Sequence, residues 1–172
     1  MAYVVRRASP GDVDGIIHVA RETWEATYEH ILPKAVRERV LSEWYAPQAL
    51  LRSVENPGAA FYVAAADDGR VVGFANAGHR RLEDGTPSED AELWRIYVLP
   101  HHQRSGLGRR LIHASVEALK NAAPVRRLYV QVETENDIGR RAYDALGFVP
   151  VREYEEGIFG YQTRLTEMCL EL

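Results

Sequence analysis

Two glycines and a glutamine between a predicted strand and a predicted helix are the residues of this chain best suited to bind phosphate. Gln103, Gly106 and Gly108 follow the strand over residues 91–99 and a proline-marked turn, and they open a helix over residues 106–122. Glycines let the backbone approach a ligand without a Cβ in the way. The N–H groups of the first helical turn, at the positive end of the helix dipole, favour an anion. The pattern therefore predicts a phosphate-bearing ligand.

This loop can be compared with three phosphate-binding patterns. A Walker loop requires Gly, four residues and then Gly-Lys-Ser/Thr, and the chain has no such segment. A dinucleotide fingerprint requires Gly-x-Gly-x-x-Gly, and here Leu111 stands where the third glycine belongs. A dinucleotide is therefore only a weak alternative. The third pattern, Gln-x-x-Gly-x-Gly, is complete from Gln103 to Gly108.

The elements that must position this loop alternate between strand and helix patterns. Strands are predicted over residues 3–7, 61–66, 71–77, 91–99, 127–132, 149–156 and 161–170. Helices are predicted over residues 13–24, 33–44, 47–54, 106–122 and 136–146. Residues 82–90 are polar and contain Gly and Pro, which predicts a mobile loop. With no repeat or linker, the 172 residues predict a single mixed α/β domain over residues 1–172, antiparallel in its first half.

The composition of the chain argues against several classes of partner and ligand. The net charge is −4 and no run of Lys or Arg is long enough to follow a nucleic-acid backbone, so nucleic acid is not an expected partner. No apolar segment predicts a membrane span or a signal peptide, and membrane is not expected either. Cys169 is the only cysteine, which excludes an internal disulfide and favours a cytoplasmic location, with the thiol as buried filler. His101 and His102 are adjacent loop residues without completing ligands, so no metal is expected.

The loop and the segments after it resemble the GNAT N-acetyltransferase superfamily. Gln103-x-x-Gly106-x-Gly108 is similar to the family's acetyl-CoA pyrophosphate loop, Gln/Arg-x-x-Gly-x-Gly/Ala. Residues 128–132 resemble its fifth strand, and residues 136–148 resemble its block Asn-x-x-Ala-x-x-φ-Tyr-x-x-Leu-Gly-Phe. Two positions depart from the pattern: Gly139 stands where Ala is usual, which costs some helix stability but stays small, and Arg104 stands where Gly is common.

The resemblance implies the GNAT fold, a mixed, mainly antiparallel sheet of about seven strands flanked by helices, with acetyl-CoA as cosubstrate. In that family the fourth and fifth strands separate and the pantetheine arm lies between them. The residues implied to bind the cofactor are Ile96, Tyr97, Val98, Gln103, Arg104, Ser105, Gly106, Leu107, Gly108, Arg109, Asn136 and Tyr143. Arg109, Arg140 and Arg141 are either contacts to the ribose phosphate or solvated helix surface.

The resemblance also implies how the acetyl group moves. An amine must lose its proton before it attacks, and the departing thiolate needs a proton or a hydrogen bond. Tyr143 matches the family tyrosine that acts as general acid toward the coenzyme A sulfur. Glu92, eleven residues before Gln103, resembles the catalytic glutamate of histone-type members and is the candidate base. Asp90 and Glu133 are weaker alternatives, and deprotonation through water stays open.

The acceptor is the least constrained part of the hypothesis. Tyr28 and His30 are candidate acceptor contacts at the end of the first helical region, whereas Trp24 there is interpreted as core packing. Glu153, Glu155 and Glu156 precede the last turn, where they are either a solvated face or an attraction for a cationic amine. The prediction is acetyl transfer to a primary amine of a small molecule or peptide. A non-catalytic acyl-CoA-binding or sensing module is the alternative, and a homodimer is one possible assembly.

Overall fold

One seven-stranded sheet forms the centre of the protein in the computed structural model, which describes residues 1–172. The strands are β1 (Tyr3–Arg7), β2 (Ala59–Ala66), β3 (Val71–Arg81), β4 (Pro87–Val98), β5 (Arg127–Glu133), β6 (Val149–Ile158) and β7 (Tyr161–Glu171). Their order in the sheet is β1-β2-β3-β4-β5-β7-β6. Every neighbouring pair is antiparallel except β4 and β5, which run parallel. The predicted mixed, mainly antiparallel sheet is confirmed.

Five α-helices connect and flank the strands. They are α1 (Val13–Tyr28), α2 (Lys34–Glu43), α3 (Pro47–Glu55), α4 (Leu107–Lys120) and α5 (Asp137–Ala145). Proline near the start of α3 and the buried apolar stripe of α4 are the signals that made these helices readable from the sequence. All five predicted helices are confirmed, with ends shifted by a few residues.

Two apolar cores lie on opposite faces of the sheet. On one face, Leu111 and other apolar residues of α4 pack against small residues such as Ala64 and Ala75, whose size lets the helix approach the strands closely. On the other face, α1, α2 and α3 form a layer in which Ile16 belongs to the same core as Phe74. Because each helix buries one apolar stripe against the sheet, hydrophobic burial fixes the position of both helix layers.

The second part of the polar stretch predicted as a mobile loop, residues 87–90, is strand. β3 continues to Arg81 and β4 begins at Pro87, so only residues 82–86 form the connecting turn. Asp90 lies opposite Arg127 of β5, and its carboxylate accepts hydrogen bonds from Nε at 2.8 Å and from Nη2 at 3.1 Å. The loop prediction is wrong for residues 87–90 because polar strand residues can be satisfied by cross-strand pairing without apolar burial.

A β-bulge separates the two halves of β4. The register against β3 shifts between Leu93 and Arg95, and the extra residue is Trp94. Its indole lies over Gly78 of β3 so closely that a Cβ at Gly78 would collide with the ring. Pairing between β4 and β5 ends at the same level, because the last matched residues are Leu93 and Val130. Beyond that point, the β5-facing edge of β4 has no strand partner.

Candidate active site

The loop before α4 presents an open helix N-terminus. Gly106 caps the helix with φ +79°, and a Cβ at either Gly106 or Gly108 would meet no atom within 4 Å. The first helical hydrogen bond runs from the Arg110 N–H to the Gly106 carbonyl. The preceding N–H groups have no helical partner, and they face open space at the positive end of the dipole.

Two side chains hold the loop in this shape. The Gln103 amide donates to the Val98 carbonyl at 2.9 Å, which ties the loop to the end of β4. The Ser105 hydroxyl donates to the His102 carbonyl at 2.5 Å. Arg104 adopts φ +58°, a left-handed conformation in which a glycine, common at this position in the family resembled, has no strain. Gln103 therefore bonds to the strand end, a role that the sequence pattern did not suggest.

The gap between β4 and β5 joins this loop to the interior. Ile96, Tyr97 and Val98 line one side of the gap and are all half-buried. On the other side, Asn136 caps α5 by accepting a hydrogen bond from the Gly139 N–H at 2.9 Å. A Cβ at residue 139 would lie 2.5 Å from Asn136 Nδ2, so Gly139 leaves room for the capping side chain. The sequence expectation that Gly139 merely weakens the helix missed this packing role.

The three arginines that the sequence analysis interpreted as either ribose-phosphate contacts or solvated helix surface lie in different surroundings. Arg109 lines a groove of about 230 Å³ beside α4. Arg140 Nη1 donates to the Thr134 carbonyl at 3.0 Å, which fixes that guanidinium against the end of β5. Arg141 is exposed. The structure thus does not bring the three guanidinium groups together.

Four tyrosines meet where the gap reaches the helical layer. Tyr28 and Tyr45 are buried, while Tyr97 and Tyr143 are half-buried. Burial raises the pKa of Tyr28 to about 12, although hydrogen bonding to Tyr97 and Asn136 works against the shift. Burial also raises the pKa of Tyr143, and Tyr28 and Tyr45 add to that effect. These hydroxyl groups therefore keep their protons at neutral pH.

A cleft of about 370 Å³ lies between the end of α1, the end of β5 and the β6–β7 hairpin. It is lined by Ile31, Glu133, Thr134, Glu135, Glu155, Tyr161, Gln162, Thr163 and Arg164. Glu133 is only 7% exposed, and its carboxylate accepts hydrogen bonds from the Glu135 N–H and the Thr163 hydroxyl. The cleft is therefore rich in carboxylates at the place where the sequence predicted an acceptor.

The predicted acceptor contacts divide between this region and the surface. Tyr28 lies among the buried tyrosines, and its ring centroid is 4.3 Å from that of Trp24, which is core packing as predicted. The His30 side chain is 91% exposed and has only Glu29 as a neighbouring ionic group, at 3.9 Å. Glu155 lines the cleft, whereas Glu153 and Glu156 do not. Of the two predicted acceptor contacts, Tyr28 is therefore buried and His30 is exposed at the surface.

The candidate base Glu92 lies one residue before the point where the strands part. Its carboxylate is 3.4 Å from Arg80 Nε and 3.4 Å from Gln131 Nε2, and it is one-quarter exposed. The weaker candidate Asp90 is bound by Arg127 at the far end of the β4–β5 pairing. Of the three candidate bases, Glu92 and Glu133 therefore lie beside the gap or the cleft, and Asp90 does not.

Sequence comparison decides the family. Residues 16–148 match the acetyltransferase (GNAT) family. The chain belongs to the GNAT family. One relative, the spermidine N(1)-acetyltransferase of Thermoplasma acidophilum, is 30% identical over 153 residues, covering 86% of this chain and 89% of that protein. The N-alpha-acetyltransferase of Sulfurisphaera tokodaii is 28% identical over 158 residues, covering 87% and 82%.

A solved GNAT structure has the same fold. The PaiA N-acetyltransferase of Thermoplasma acidophilum, crystallised in complex with coenzyme A, superposes with a TM-score of 0.79 over 97% of this chain and 98% of that one, at 24% identity. Two further features of the chain concern metal ligands and membrane spans. No group of three or more His, Cys, Asp or Glu side chains in this GNAT chain could hold a metal ion. His102 Nδ1 instead lies 3.0 Å from the Tyr3 hydroxyl. None of the helices has the length and apolar character needed to cross a membrane.

Two residues beside the site were missed by the sequence analysis. Tyr45, in the connection after α2, receives a hydrogen bond from Trp24 Nε1 at 3.3 Å and joins the tyrosine group. Trp94 forms the bulge that ends β4–β5 pairing. Neither belongs to a short motif, and a tryptophan within a strand pattern gives no indication that it will form a bulge.

Proposed function

We propose that this GNAT chain transfers the acetyl group of acetyl-CoA to a primary amine by direct attack in a ternary complex. The observation that carries the proposal is the separation of β4 from β5 after Leu93, which leads to the open N-terminus of α4. The free edge of β4 suits an extended amide-containing arm, and the helix end suits a diphosphate. Coenzyme A contains both parts in one molecule.

The residues of the gap and loop have the chemistry that this cosubstrate requires. Backbone groups over residues 96–98 would bond to the pantetheine arm as an added strand. The N–H groups over residues 103–108 would bind the diphosphate, with Arg109 at the edge of that site. The Asn136 oxygen accepts from the Gly139 N–H, and its amide group, which also approaches Tyr28, would offer an N–H to the arm.

Acetyl transfer requires that the acceptor amine lose a proton and that the departing sulfur gain one. The chain has one candidate side chain for each of these proton transfers. Glu92, directly or through water, would take a proton from the acceptor ammonium, and the free amine would form the N–C bond. As the C–S bond breaks, Tyr143 would give its proton to the departing sulfur. Burial keeps the Tyr143 hydroxyl protonated at neutral pH, which is the form a general acid requires.

The thiol of the chain is unsuited to carry the acetyl group. Cys169 is buried, as predicted, and lies opposite Tyr129 in the sheet. Burial raises the pKa of its thiol, so little nucleophilic thiolate is present at neutral pH. It does not line the cleft. These facts support direct attack by the amine over a covalent acyl-enzyme.

The proposed acceptor is a cationic primary amine, a class to which the acceptors named for two relatives belong. The names of the Thermoplasma and Sulfurisphaera relatives specify spermidine and alpha-amino groups. Both are cationic at neutral pH. The carboxylates of the cleft support the same class of acceptor for this chain.

The test is release of free thiol from acetyl-CoA in the presence of a panel of amines. We expect release to depend on the amine, and Tyr143→Phe to lower kcat by about 100-fold with the Kd of acetyl-CoA unchanged, because only the proton donor is lost. Glu92→Gln in the same assay tests the base. Unchanged turnover in Tyr143→Phe contradicts the assigned acid.

Binding measurements separate the alternatives. Calorimetry that detects coenzyme A binding without thiol release from any amine would make the chain a non-catalytic acyl-CoA-binding or sensing module. Binding of NAD in place of coenzyme A would overturn the assignment of the loop.

A further inference from the structure

The chain contains three buried carboxyl groups, and two of them have basic partners. Asp12 lies 2.7 Å from Arg6, and Glu167 lies 2.8 Å from Arg80 and 3.0 Å from Arg152. Glu133 is buried to the same degree and has no ion pair with any basic side chain of the chain. Because a buried charge is costly unless a counter-charge compensates it, Glu133 lacks the partner that its environment calls for.

The groups that do contact Glu133 are neutral. The Glu135 N–H donates to one carboxylate oxygen at 2.6 Å, and the Thr163 hydroxyl donates to the other at 2.5 Å. Two ionised oxygens can accept about four hydrogen bonds, so about two positions are left. Since Glu133 lines the 370 Å³ cleft, a ligand in that cleft can reach it.

The other charged residues that line the cleft add to the negative charge of Glu133. Its lining contains three acids, Glu133, Glu135 and Glu155, and one base, Arg164. Arg164 already lies 3.9 Å from both Glu153 and Glu155, and it makes no ion pair with Glu133. A cation is therefore the ligand charge that the cleft favours.

Glu133 and the proposed acid, Tyr143, are both electrostatic neighbours of Tyr28. Burial is the main cause of the raised pKa of Tyr28, and the Glu133 carboxylate adds a smaller contribution. Tyr28 in turn acts on Tyr143, whereas Glu133 is absent from the groups that shift the pKa of Tyr143. A cation bound at Glu133 therefore lies on the Tyr28 side of the site, apart from the Tyr143 hydroxyl.

We propose that Glu133 binds a second, non-reacting cationic group of the acceptor, so that the preferred substrate of this chain is a diamine or a similar dication. The inference rests on the proposed acetyl transfer and makes Glu133 a specificity-determining residue, distinct from the base. Thr163 positions it by holding one carboxylate oxygen. The second ammonium group then donates to the lone-pair positions that remain on the two Glu133 oxygens.

The experiment compares putrescine with n-butylamine, which share a carbon chain and differ by one ammonium group. In the full-length protein, we expect kcat/KM to favour putrescine by at least about tenfold, the usual order for a buried charge-assisted hydrogen bond. Glu133→Gln should abolish that preference by raising KM for putrescine. An equal fall in kcat for both amines would instead make Glu133 the base and overturn the inference. Glu156→Gln, which removes the same charge from an exposed site outside the cleft, should keep the preference.

A wild-type chain without the preference, or a Glu133→Gln variant that keeps it, overturns the inference while acetyl transfer to amines still stands. No thiol release with any amine instead overturns the proposed function. Calorimetric binding of putrescine to the coenzyme A complex gives a readout apart from turnover. Equal putrescine affinity of wild type and Glu133→Gln also overturns the inference. Thr163→Val, which keeps the carboxylate and removes its hydroxyl partner, should weaken putrescine binding less than Glu133→Gln does.

Discussion

Glu133 and Glu167 are buried carboxyl groups on neighbouring strands of one sheet, yet their surroundings are opposite. Burial favours a raised pKa for Glu167, but hydrogen bonds from Gln131, Arg80 and Arg152 outweigh it and lower the pKa to about 2. Gln131 Nε2 donates at 2.7 Å, so each Glu167 oxygen has a strong donor. Glu133 has only neutral donors and faces an open cleft.

The difference separates charge used to build the protein from charge available to a ligand. At Glu167, guanidinium groups of β3 and β6 both pair with a carboxylate of β7, so the ion pairs link three strands of the sheet. At Glu133, the same type of side chain at similar burial is left without a counter-ion beside the proposed acceptor site. Burial alone therefore does not distinguish a structural carboxylate from a binding one, whereas the presence of internal cations does.

The largest expected effect concerns stability. Glu167→Gln should lower the free energy of unfolding by about 2 kcal/mol, because the buried carboxylate loses its charge-assisted hydrogen bonds while Arg80 and Arg152, 30% and 59% exposed, stay hydrated. Urea denaturation followed by circular dichroism measures the change. Glu133→Gln is the matched control and should lie within about 1 kcal/mol of wild type, since no ion pair is broken. Equal losses in both variants would show that the ion pairs of Glu167 contribute no more to stability than the neutral contacts of Glu133.

Acid unfolding gives the second test. The folded-state pKa of Glu167 is lowered from its ordinary value of 4.5 to about 2, so its contribution is complete above pH 4.5 and is lost as the pH falls through about 2. The acid limb of stability against pH should therefore be shallower in Glu167→Gln than in wild type. If the free energy of unfolding falls equally steeply with decreasing pH in the two proteins, the arginines do not lower the pKa of Glu167.

Salt dependence should produce the smallest effect. Shortening the Debye length from about 10 Å to about 3 Å by raising salt from 0.1 to 1 M screens exposed charges far more than buried ones. We expect KM for a cationic acceptor to rise about twofold to fivefold with salt, through the carboxylates of the cleft. The stability difference between wild type and Glu167→Gln should barely change. A KM that does not respond to salt would show that the cleft charges do not attract the acceptor.

The loop from Gln103 to Gly108 could be predicted from the sequence, because the residues that define its pattern lie close together in the chain. Gly106 and Gly108 follow a strand signal and open a helix, and spacing over six residues identifies the pattern. The helices and most strands were predictable for the same reason, since hydrophobic periodicity extends over only a few turns. The one clear failure, residues 87–90, occurred where pairing between Asp90 and Arg127 replaced apolar patterning as the strand signal.

The role of individual carboxylates depended on long-range contacts. Arg80 and Glu167 are 87 residues apart, and Thr163 and Glu133 are 30 apart. No local rule states which acid of a strand will face an arginine from another element. The sequence accordingly ranked Glu133 below Glu92 as a candidate base, and it did not include Tyr45 or Trp94 in the site.

The amino-acid sequence by itself determined the element order, the open helix N-terminus and the family, because propensity, periodicity and motif spacing act between residues close in the chain. Only the tertiary structure decided where β4 parts from β5, which hydroxyl groups gather in the interior, and which buried carboxylate lacks a cation. Those properties depend on strand register and on distances across the sheet, and both are fixed by the packing of the whole chain.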